Sequence, residues 1–575
     1  MKLLKNISRA IFRKENIIFV SFFLGIASFL LIYGLEPLRY TGTGWIVNGF
    51  GGKDITQHQT GWEFYRRSPW TFPLCKALYL GYPEGTAISY TDSIPLVALL
   101  FKIISPLLPE NFQYFGLYTC FCFAMQGFFS ALLLRQFTKS NLFSVIGSIP
   151  FITASCFLER CFRHTALSSH WLLLAALLLY FKRKQKPNSK KLYVFWGALL
   201  CAAIGTHPYL FVMAFGVYII FVIEDLHHHQ TWIKHLYKPV SVIVVTIVFG
   251  FVLGLFGTDI ESASGFGIYS LNLNALFNPN TVYFTQWSSA VEKRPLYAGQ
   301  SDGIYYLGLF MMVIFILSIF IFLLDGSEKI RNKLKKYALL IALLIAYSVF
   351  ALSDIITFDD HVIFRYYLPE IVLDKINIFR ASARFFFIPY YCIFIFSLVS
   401  IYRIMSGKWM SILSVMVIAL IQVLEILPGI NELHLYFEER KEPLFFSKDW
   451  YELSQNYDTV ISFDCLTDRT LAFWLAQNNF KTNMMITAPV HLDAYWERTK
   501  QSRQLLKDNL EQGIQDLDKN TLYFISEDTG YNCTFENETE LTKYINQVKE
   551  QYKNIADVMY LTDWVKNYWI IVPKS

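Results

Sequence analysis

One acidic side chain, Asp54, lies in a segment otherwise rich in amide, imidazole, guanidinium and indole groups, GGKDITQHQTGWEFYRRSPW (51–70). A carboxylate at a membrane boundary can take the proton from an attacking hydroxyl group when partial burial tunes its pKa. A reaction with a phosphate leaving group needs such a base and little acid catalysis, because the phosphate departs as a stable anion. Alternatively, Asp54 caps the N-terminus of a short helix that begins at Ile55.

Two arginines, Arg380 and Arg384, lie four residues apart in the segment NIFRASARFFF. If a helix begins a turn or two before Phe385, this spacing puts both side chains on one face. Two guanidiniums on one face suit a lipid phosphate or pyrophosphate. Alternatively, the arginines reach to the membrane interface as anchors, or they pair with nearby acids, which are Asp359, Asp360 and Glu370.

Further polar side chains lie in loops that we predict on the same side of the membrane. Ionisable groups at such a boundary are costly, so they are usually functional or paired with each other. We predict that His164 joins the two arginines in binding a phosphate. The predicted substrate-binding residues are Gln57, His58, Trp62, Asp92, His170, His207, Gln300 and Asp302.

The sequence predicts no metal cofactor. Asp54 and His58 are four residues apart, but a metal site takes three or four ligands. With His164, His170 and His207 on the same side, a divalent metal is the alternative, although such histidines more often make polar contacts between helices. The HHH run at 227–229 is predicted to lie in a solvated cytoplasmic loop. Several aromatic residues either stack on sugar rings or form the aromatic belt of a membrane protein: Trp62, Tyr65, Trp70, Tyr79, Tyr82 and Tyr90.

The elements that must position these groups are apolar helices. The chain has 575 residues, a mean hydropathy of +0.35 and 17% charged residues, against about 25% in soluble proteins. Long apolar runs such as YLGLFMMVIFILSIFIFLL predict membrane-spanning helices. The net charge of +6 reflects basic loops and predicts no nucleic-acid partner, and the nine cysteines show no metal or disulfide spacing.

Basic segments set the predicted orientation. MKLLKNISRAIFRK, KRKQKPNSKK and EKIRNKLKK are expected in the cytoplasm. The N-terminus is then inside, the first helix is not cleaved, loop 37–91 is outside, and 94–109 forms a short interfacial helix. About eleven transmembrane helices follow from the apolar runs, and an odd number places the C-terminus outside. They lie near 17–36, 112–135, 142–158, 165–181, 192–206, 208–224, 239–257, 304–324, 337–353, 385–403 and 409–427; the pair 192–206 and 208–224 is alternatively one long tilted helix.

The composition changes after Pro428, which predicts a transmembrane domain over 1–430 and an extracytoplasmic α/β domain over 431–575. DTVISFD, TNMMIT, NTLYFIS and YWIIV are typical of strands, and DRTLAFWLAQ and YWERTKQSRQLLKDNLEQGI of helices. Alternating strands and helices favour a largely parallel sheet. The predicted fold is therefore an α-helical polytopic membrane protein with a C-terminal α/β domain.

Four segments resemble a bacterial family of multi-span membrane proteins known as a domain of unknown function, the DUF6311 group. These are GGKDITQHQTGWEFYRRSPWTFPL, GYPEGTAISYTDSIPLVALLFK, LPENFQYFGL and FRASARFFFIP, and the resemblance covers nearly the whole chain. The architecture, with a lone acid in the first outer loop, an interfacial helix and an outer C-terminal domain, is similar to that of the GT-C glycosyltransferases. Those enzymes use polyprenyl-phosphate sugars.

The GT-C resemblance implies that Asp54 occupies the place of the catalytic base and that Arg380 and Arg384 hold the donor phosphate. The first loop lacks the DxD or ExD pair of the metal-dependent oligosaccharyltransferases, which implies metal-independent chemistry. The expected function is inverting transfer of a sugar from a polyprenyl-phosphate donor to a cell-envelope glycan or lipid, on the outer face of the bacterial cytoplasmic membrane. The expected partners are this donor, the glycan or lipid acceptor and the lipid bilayer.

Two other functions remain open at this point. A transporter or flippase for lipid-linked glycans would need polar residues near the bilayer midplane and symmetry-related repeats, whereas the polar groups here cluster at one membrane face. A non-catalytic scaffold for envelope assembly is the other. The α/β segment either binds acceptor or a partner, covers the site, or dimerises through its strand edges.

Overall fold

The computed structural model describes residues 19–48, 54–183, 189–227, 232–256, 265–281, 284–405, 407–438, 448–463, 469–484, 501, 504, 507–509, 511–512, 517–527, 535–562 and 567–574. Some sequence predictions lie outside the described residues. They are the orientation of the basic segment 1–14, the second half of the strand TNMMIT (482–487), most of the helix over 495–514, and the second and third histidines of the HHH run.

The described chain is predominantly helical. The α-helices in chain order are α1 (Phe19–Tyr33), α2 (Gly44–Val47), α3 (Asp54–Arg67), α4 (Pro95–Ile103), α5 (Phe115–Leu134), α6 (Asn141–Ile146), α7 (Ile149–Ile152), α8 (Ser155–Leu158), α9 (Trp171–Lys182), α10 (Lys190–Thr206), α11 (Pro208–His227), α12 (Tyr237–Leu253), α13 (Leu309–Leu324), α14 (Ser327–Lys336), α15 (Ala338–Leu352), α16 (Glu370–Ile376), α17 (Phe387–Ile404), α18 (Lys408–Glu438), α19 (Lys448–Asn456), α20 (Arg469–Gln477) and α21 (Glu538–Tyr552).

The chain divides into two compact units, each built from separate parts of the sequence. The helical unit comprises Met1–Tyr40, Tyr114–Gly250 and Ser264–Arg440, and the sheet unit comprises Thr41–Gln113, Phe251–Ala263 and Lys441–Ser575. Segment 41–113, which contains most of the loop predicted over 37–91, is thus grouped with the C-terminal segment, a grouping that the sequence boundaries at 430 and 431 did not anticipate.

Within the described residues, six helices are long and apolar enough to cross a membrane, or seven if the bent pair α13 and α14 is one span. The pair bends by 115°, and three other apolar helices have only 10–17 residues. A helix needs about 18 or more residues to cross a bilayer, because each residue adds only about 1.5 Å. The finer count of about eleven spans therefore stays a prediction. The six are Phe115–Leu134, Thr165–Lys182, Pro208–His227, Ile233–Leu253, Ser382–Ile404 and Trp409–Glu438.

Some predicted helices differ in detail from the structure. The segment predicted as one helix over 142–158 is broken into α6, α7 and α8, and the break before α7 coincides with Gly147 and with Pro150, which has no N–H to donate. The helix predicted from residue 304 begins only at Leu309, after a stretch without regular secondary structure. The pair predicted around the THP turn is confirmed as two helices, α10 and α11, which separate at His207 and pack against each other.

Glycines allow α1 and α5 to approach closely in the helical unit. A Cβ atom added to Gly25 of α1 would lie 2.1 Å from the carbonyl oxygen of Phe123 in α5. The contact is reciprocal, because a Cβ atom on Gly127 of α5 would lie 2.3 Å from the carbonyl oxygen of Ser21. Small residues at such crossings let the two backbones pack against each other in membrane proteins.

We predict opposite effects for alanine at two glycines of apolar helices. Gly25→Ala should destabilise the protein by about 1–3 kcal/mol, because the added methyl group meets a backbone that cannot move aside. Gly197→Ala in α10 should be neutral or stabilising by up to about 1 kcal/mol, since its nearest neighbour is a side-chain atom of Val242 at 4.0 Å and alanine favours the helix. Thermal unfolding in detergent measures both. A similar unfolding temperature for the two variants would contradict the close crossing.

The sheet unit contains a mixed sheet. Among the described residues its strand order is β6-β5-β7-β9-β8, with β5 (Thr459–Ser462) parallel to β6 (Lys481–Thr482) and β7 (Thr521–Ser526). The last two strands, β8 (Ala556–Thr562) and β9 (Asn567–Pro573), are antiparallel to each other, and β9 is antiparallel to β7. The prediction of a largely parallel sheet is therefore wrong for the part formed by β8 and β9. Only four residues separate these two strands in the sequence, and so short a connection joins only antiparallel strands.

Segment 41–113 is part of the same unit. The amide of Thr482 donates to the carbonyl oxygen of Tyr79 at 2.9 Å, and the amide of Tyr82 donates to that of Thr482 at 2.8 Å. Leu80 thereby pairs in parallel with Thr482. The chain around Leu80 thus extends the sheet by a short parallel pairing next to its edge strand β6. In addition, α20 packs against α3. The remaining strands are two short antiparallel pairs, β1 (Lys76–Ala77) with β2 (Thr86–Ala87), and β3 (Ile355–Phe358) with β4 (His361–Arg365) in the helical unit.

Candidate functional site

The helical unit contains a buried carboxylate shared by two arginines. Asp302, at the end of the 3-10 turn Gln300–Asp302, is 3% exposed. Its Oδ2 accepts hydrogen bonds from Nη2 of Arg384 at 2.9 Å and from Nε at 3.2 Å. Its Oδ1 forms an ion pair with the fully buried Arg160 and lies 3.7 Å from Nε2 of His164. Side chains from two segments that are far from Asp302 in the sequence therefore converge on its carboxyl group.

Burial and neighbouring charges shift the pKa values of Asp302 and His164. Burial alone raises the pKa of Asp302, but the guanidiniums of Arg384 and Arg160 outweigh burial and hold the pKa well below its usual range. Burial and the charge of Arg384 lower the pKa of His164 to about 4, against the opposing effect of Asp302. His164 is then neutral at pH 7, so it contributes a hydrogen-bonding group rather than a positive charge.

Two further arginines border the site. Nη2 of Arg163 donates to Oγ of Ser301 at 3.2 Å. Cζ of Arg380 lies 5.2 Å from the centre of the Tyr269 ring. We call Arg160, Arg163, Arg380 and Arg384 the arginine cluster.

Tyr209 contacts both the side chain of Arg384 and the backbone next to Arg380. Cζ of Arg384 lies 4.8 Å from the centre of the Tyr209 ring, and the Tyr209 hydroxyl accepts a hydrogen bond from the amide of Ala381 at 3.0 Å. Such placement of a guanidinium over an aromatic face is favourable. Tyr209 therefore contacts the Arg384 side chain and the backbone next to Arg380.

Burial strengthens the electrostatic interactions in this part of the described structure. Arg160 is fully buried, the side chain of Arg384 is 12% exposed, and both arginines pair with Asp302. Oε1 of Glu159 accepts a hydrogen bond from the indole of Trp287 at 2.8 Å. Burial raises the pKa of Glu159, although the nearby arginines lower it in part. The guanidiniums that pair with Asp302 therefore lie where charges interact more strongly than in water.

The two predicted arginines lie in a backbone geometry different from the one expected. Arg380 ends the 3-10 turn Asn377–Phe379, and Arg384 lies in the 3-10 helix Ser382–Phe386. The α-helix begins only at Phe387, so the argument from one α-helical face is wrong. Of the predicted acidic partners, Asp359 pairs instead with Arg294.

Three other predicted residues make polar contacts inside the helical unit. Nδ1 of His170 lies 2.6 Å from the hydroxyl of Tyr391. Nδ1 of His207, at the junction of α10 and α11, accepts from the amide of Tyr209 at 3.2 Å. The side chain of Gln300 donates to Ser270 and Thr357 at 2.9 and 2.7 Å and accepts from Asn272 at 2.7 Å. These contacts hold together the segments around Asp302.

In the sheet unit, Asp54 is the first residue of α3, and its Oδ1 accepts a hydrogen bond from Nη1 of Arg469 at 3.0 Å. Both side chains are 30% exposed. The rest of α3 is polar but buried from Ile55 to Tyr65. Burial of so many polar groups requires partners, and a buried ion pair between Glu63 and Arg67 supplies one of them.

The other predicted residues of segment 41–113 lie in α3 or next to it. Gln57 is buried, and Nε2 of His58 lies 3.9 Å from Oδ2 of Asp92. Asp92 has φ +56°, in the left-handed region. Trp62 is fully buried, and its indole donates to the carbonyl oxygen of Phe112 at 3.0 Å. The buried position of Trp62 leaves no exposed face for stacking on a sugar ring.

The described residues contain no group of three or more histidine, cysteine, aspartate or glutamate side chains that could hold a metal ion. The sequence analysis did not assign Arg160, Arg163 and Arg469 to the site. The first two had a signal, since ERCFRH places two arginines directly before His164. Arg469 had none, because nothing in DRTLAFWLAQ connects it to a residue more than 400 positions earlier.

The long apolar helices define a multi-pass membrane protein. A family model described as "Domain of unknown function (DUF6311)" matches residues 22–427, and the chain belongs to this family. The match includes Asp54 and the whole arginine cluster but ends before Arg469. No curated protein matches the chain.

Proposed function

We propose that the protein transfers a sugar from a polyprenyl-phosphate donor to a cell-envelope glycan or lipid acceptor on the outer face of the bacterial cytoplasmic membrane. The observation that supports the proposal is the convergence of the Arg160 and Arg384 guanidiniums on the buried Asp302, with His164 3.7 Å from the same carboxyl group. Guanidiniums match the geometry of phosphate oxygens and stay charged at all relevant pH values. A phosphate ester on an isoprenoid chain has the negative charge that these groups recognise and an apolar tail suited to a membrane protein.

In the proposed reaction, the hydroxyl oxygen of the acceptor attacks the anomeric carbon of the donor sugar. The bond from that carbon to the phosphate oxygen breaks, and the polyprenyl phosphate leaves with the bonding electrons. The Asp54 carboxylate takes the hydroxyl proton. Single displacement inverts the anomeric configuration, and no metal is required because Arg380 and Arg384 stabilise the phosphate charge.

Under this proposal, the remaining residues of the site either interact with the phosphate or position Arg384. Neutral His164 donates or accepts a hydrogen bond beside the phosphate, and Arg160 and Arg163 add positive charge. Asp302 holds Arg384 in place when no ligand is bound. Such fixed donors around a developing charge are the usual means by which a protein stabilises a leaving group.

We predict that Arg384→Gln weakens binding of undecaprenyl phosphate by 10- to 100-fold, because one hydrogen bond to a charged group contributes about 1.5–3 kcal/mol. Titration of the purified protein in detergent measures this, with undecaprenol as the matched ligand without phosphate. Arg294→Gln is the control, since Arg294 pairs with Asp359 in the same unit and lies outside the cluster. Equal binding of the phosphate and the alcohol, or equal loss in both variants, would contradict the proposal.

A further inference from the structure

The helix α20 is fixed to segment 41–113 at both of its ends. At its start, Arg469 donates to Asp54 at 3.0 Å, and at its end Nε2 of Gln477 donates to Oδ1 of Asn111 at 3.1 Å. Between the ends, the residues from Thr470 to Ala476 are buried. The position of the guanidinium relative to α3 is therefore set by a whole helix rather than by one flexible side chain.

The sheet also fixes the position of α20 relative to segment 41–113. Residues 79–82 pair with β6, which follows α20 directly in the chain. Trp474 of α20 packs against Trp450 of α19, with ring centres 5.0 Å apart, and against Phe480 at 5.4 Å. Helix α20 is thus held between the C-terminal sheet and the segment that carries Asp54.

The Asp54–Arg469 pair is poorly suited to a purely stabilising role. Both side chains are 30% exposed, and ion pairs in contact with water contribute little to stability because water screens them and both side chains lose freedom. A guanidinium that binds one carboxylate oxygen does, however, restrict the rotation of the carboxyl group. Restriction of a proton acceptor to one orientation is the kind of preorganisation on which reaction rates depend strongly.

We propose that Arg469 is a positioning residue that orients the Asp54 carboxylate for proton transfer. This inference rests on the proposed function. It makes the C-terminal α/β segment a structural part of the site that carries Asp54, rather than a separate module that binds acceptor. It also predicts that the 22–427 portion matched by the family model lacks one residue that the reaction needs.

The test uses full-length variants expressed in a strain that lacks the protein, with the surface sugar lost in that strain as the readout. Arg469→Gln should lower the amount of this sugar 10- to 100-fold, whereas Arg469→Lys should restore a large part of it because an ammonium group still pairs with Asp54. Lys481→Gln is the matched control. It breaks another exposed pair in the same unit, with Asp458 at 2.9 Å, and should change nothing.

Two further measurements separate the possible failures. The Asp54→Asn and Arg469→Gln double variant should be no worse than Asp54→Asn alone, since the two residues act through one group. Unfolding temperatures of purified Arg469→Gln and Lys481→Gln should match. If Asp54→Asn leaves the sugar intact, the proposed function fails. If Asp54→Asn removes the sugar while Arg469→Gln keeps it, the positioning role alone is overturned. The same holds if Arg469→Gln unfolds at a clearly lower temperature than Lys481→Gln, or if Arg469→Lys restores no sugar.

Discussion

Asp302→Ala should be among the most destabilising substitutions in the protein, with a loss of about 3–5 kcal/mol. Removal of one partner from a buried ion pair leaves an uncompensated charge in a low-dielectric environment. Here the loss is shared by two guanidiniums, because Arg160 and Arg384 both pair with this carboxyl group. Thermal unfolding of the purified variant in detergent measures the change.

The matched control for this substitution is Asp360→Ala. Asp360 also contacts a basic group, His361, but the side chain of Asp360 is 55% exposed, so the change in stability should stay within about 0.5 kcal/mol.

A second measurement tests whether an anion stabilises the Asp302→Ala variant. Because Asp302→Ala vacates the negative position between the arginines, added inorganic phosphate should raise the unfolding temperature of this variant more than that of the wild type.

Two results would contradict this account of Asp302. One is an unfolding temperature of Asp302→Ala close to that of the wild type, which would show that the arginines do not depend on the carboxylate. The other is the same response of both proteins to phosphate, which would show that the space between the arginines does not accept an anion.

The pH dependence of this contribution follows from the lowered pKa of Asp302. The folded protein holds the ionised form more strongly than the unfolded chain, whose aspartate has a pKa of about 3.9. The stabilisation is therefore complete above about pH 4 and is lost as the pH falls through the lower pKa of the folded state. The difference in stability between the wild type and Asp302→Asn should shrink below pH 4.

Hydropathy predicted where the helices of this protein lie, because a membrane helix must be apolar along most of its length and this requirement is visible residue by residue. It did not predict where they break. The segment 142–158 contains Gly147 and Pro150, yet its mean composition is that of one helix. Hydropathy did not predict the late start of α13 at Leu309 either, since the preceding residues Ile304 to Leu307 are apolar but form no helix.

The strands of the C-terminal segment were partly predictable. DTVISFD, NTLYFIS and YWIIV correspond to β5, β7 and β9, because each is a short apolar run between polar residues. The strand β8 was missed, since ADVMYLT is only half buried and carries a weaker pattern. Its antiparallel pairing with β9 depends on a short connection, which composition alone does not reveal.

The site was predictable as a list of residue types but not as an arrangement. The sequence indicated Arg384, His164 and Asp302 as polar groups of separate loops, and the structure brings these three together. It did not indicate that the carboxylate neutralises the arginine, because that depends on which loops meet. The pairing of Asp54 with Arg469 depends in the same way on the packing of α20 against α3.

Asp54→Asn should abolish transfer of the sugar in a protein that still folds. Loss of a general base lowers rates by about 10²- to 10⁴-fold, and asparagine retains the shape of the side chain and an oxygen that can accept from Arg469. Because the pair with Arg469 is partly exposed, the cost to stability should be below about 1 kcal/mol. Asp54→Glu keeps the carboxylate but displaces it by one methylene, so its activity should fall between those of the wild type and Asp54→Asn.

The surface glycans of a strain that lacks the protein, complemented with each variant, provide the measurement, and Asp458→Asn is the control. Asp458 carries an exposed ion pair with Lys481 in the same unit, so its loss tests whether any broken pair has the same effect. The outcome also separates the classes of function. A scaffold needs only the folded protein and keeps its effect in Asp54→Asn, and a flippase is sensitive chiefly to changes within the membrane interior.

A final comparison asks whether Asp54 and the arginine cluster serve one reaction. If Asp54 takes the proton while Arg384 stabilises the departing phosphate, the two act in the same step, and effects of residues that act as a unit are far from additive. The double variant Asp54→Asn with Arg384→Gln should then lose little more activity than Asp54→Asn alone. Multiplied losses in the double variant, or full glycan levels in a folded Asp54→Asn protein, would instead assign the carboxylate and the arginines to separate roles and remove the basis for a glycosyl transfer in which Asp54 is the base.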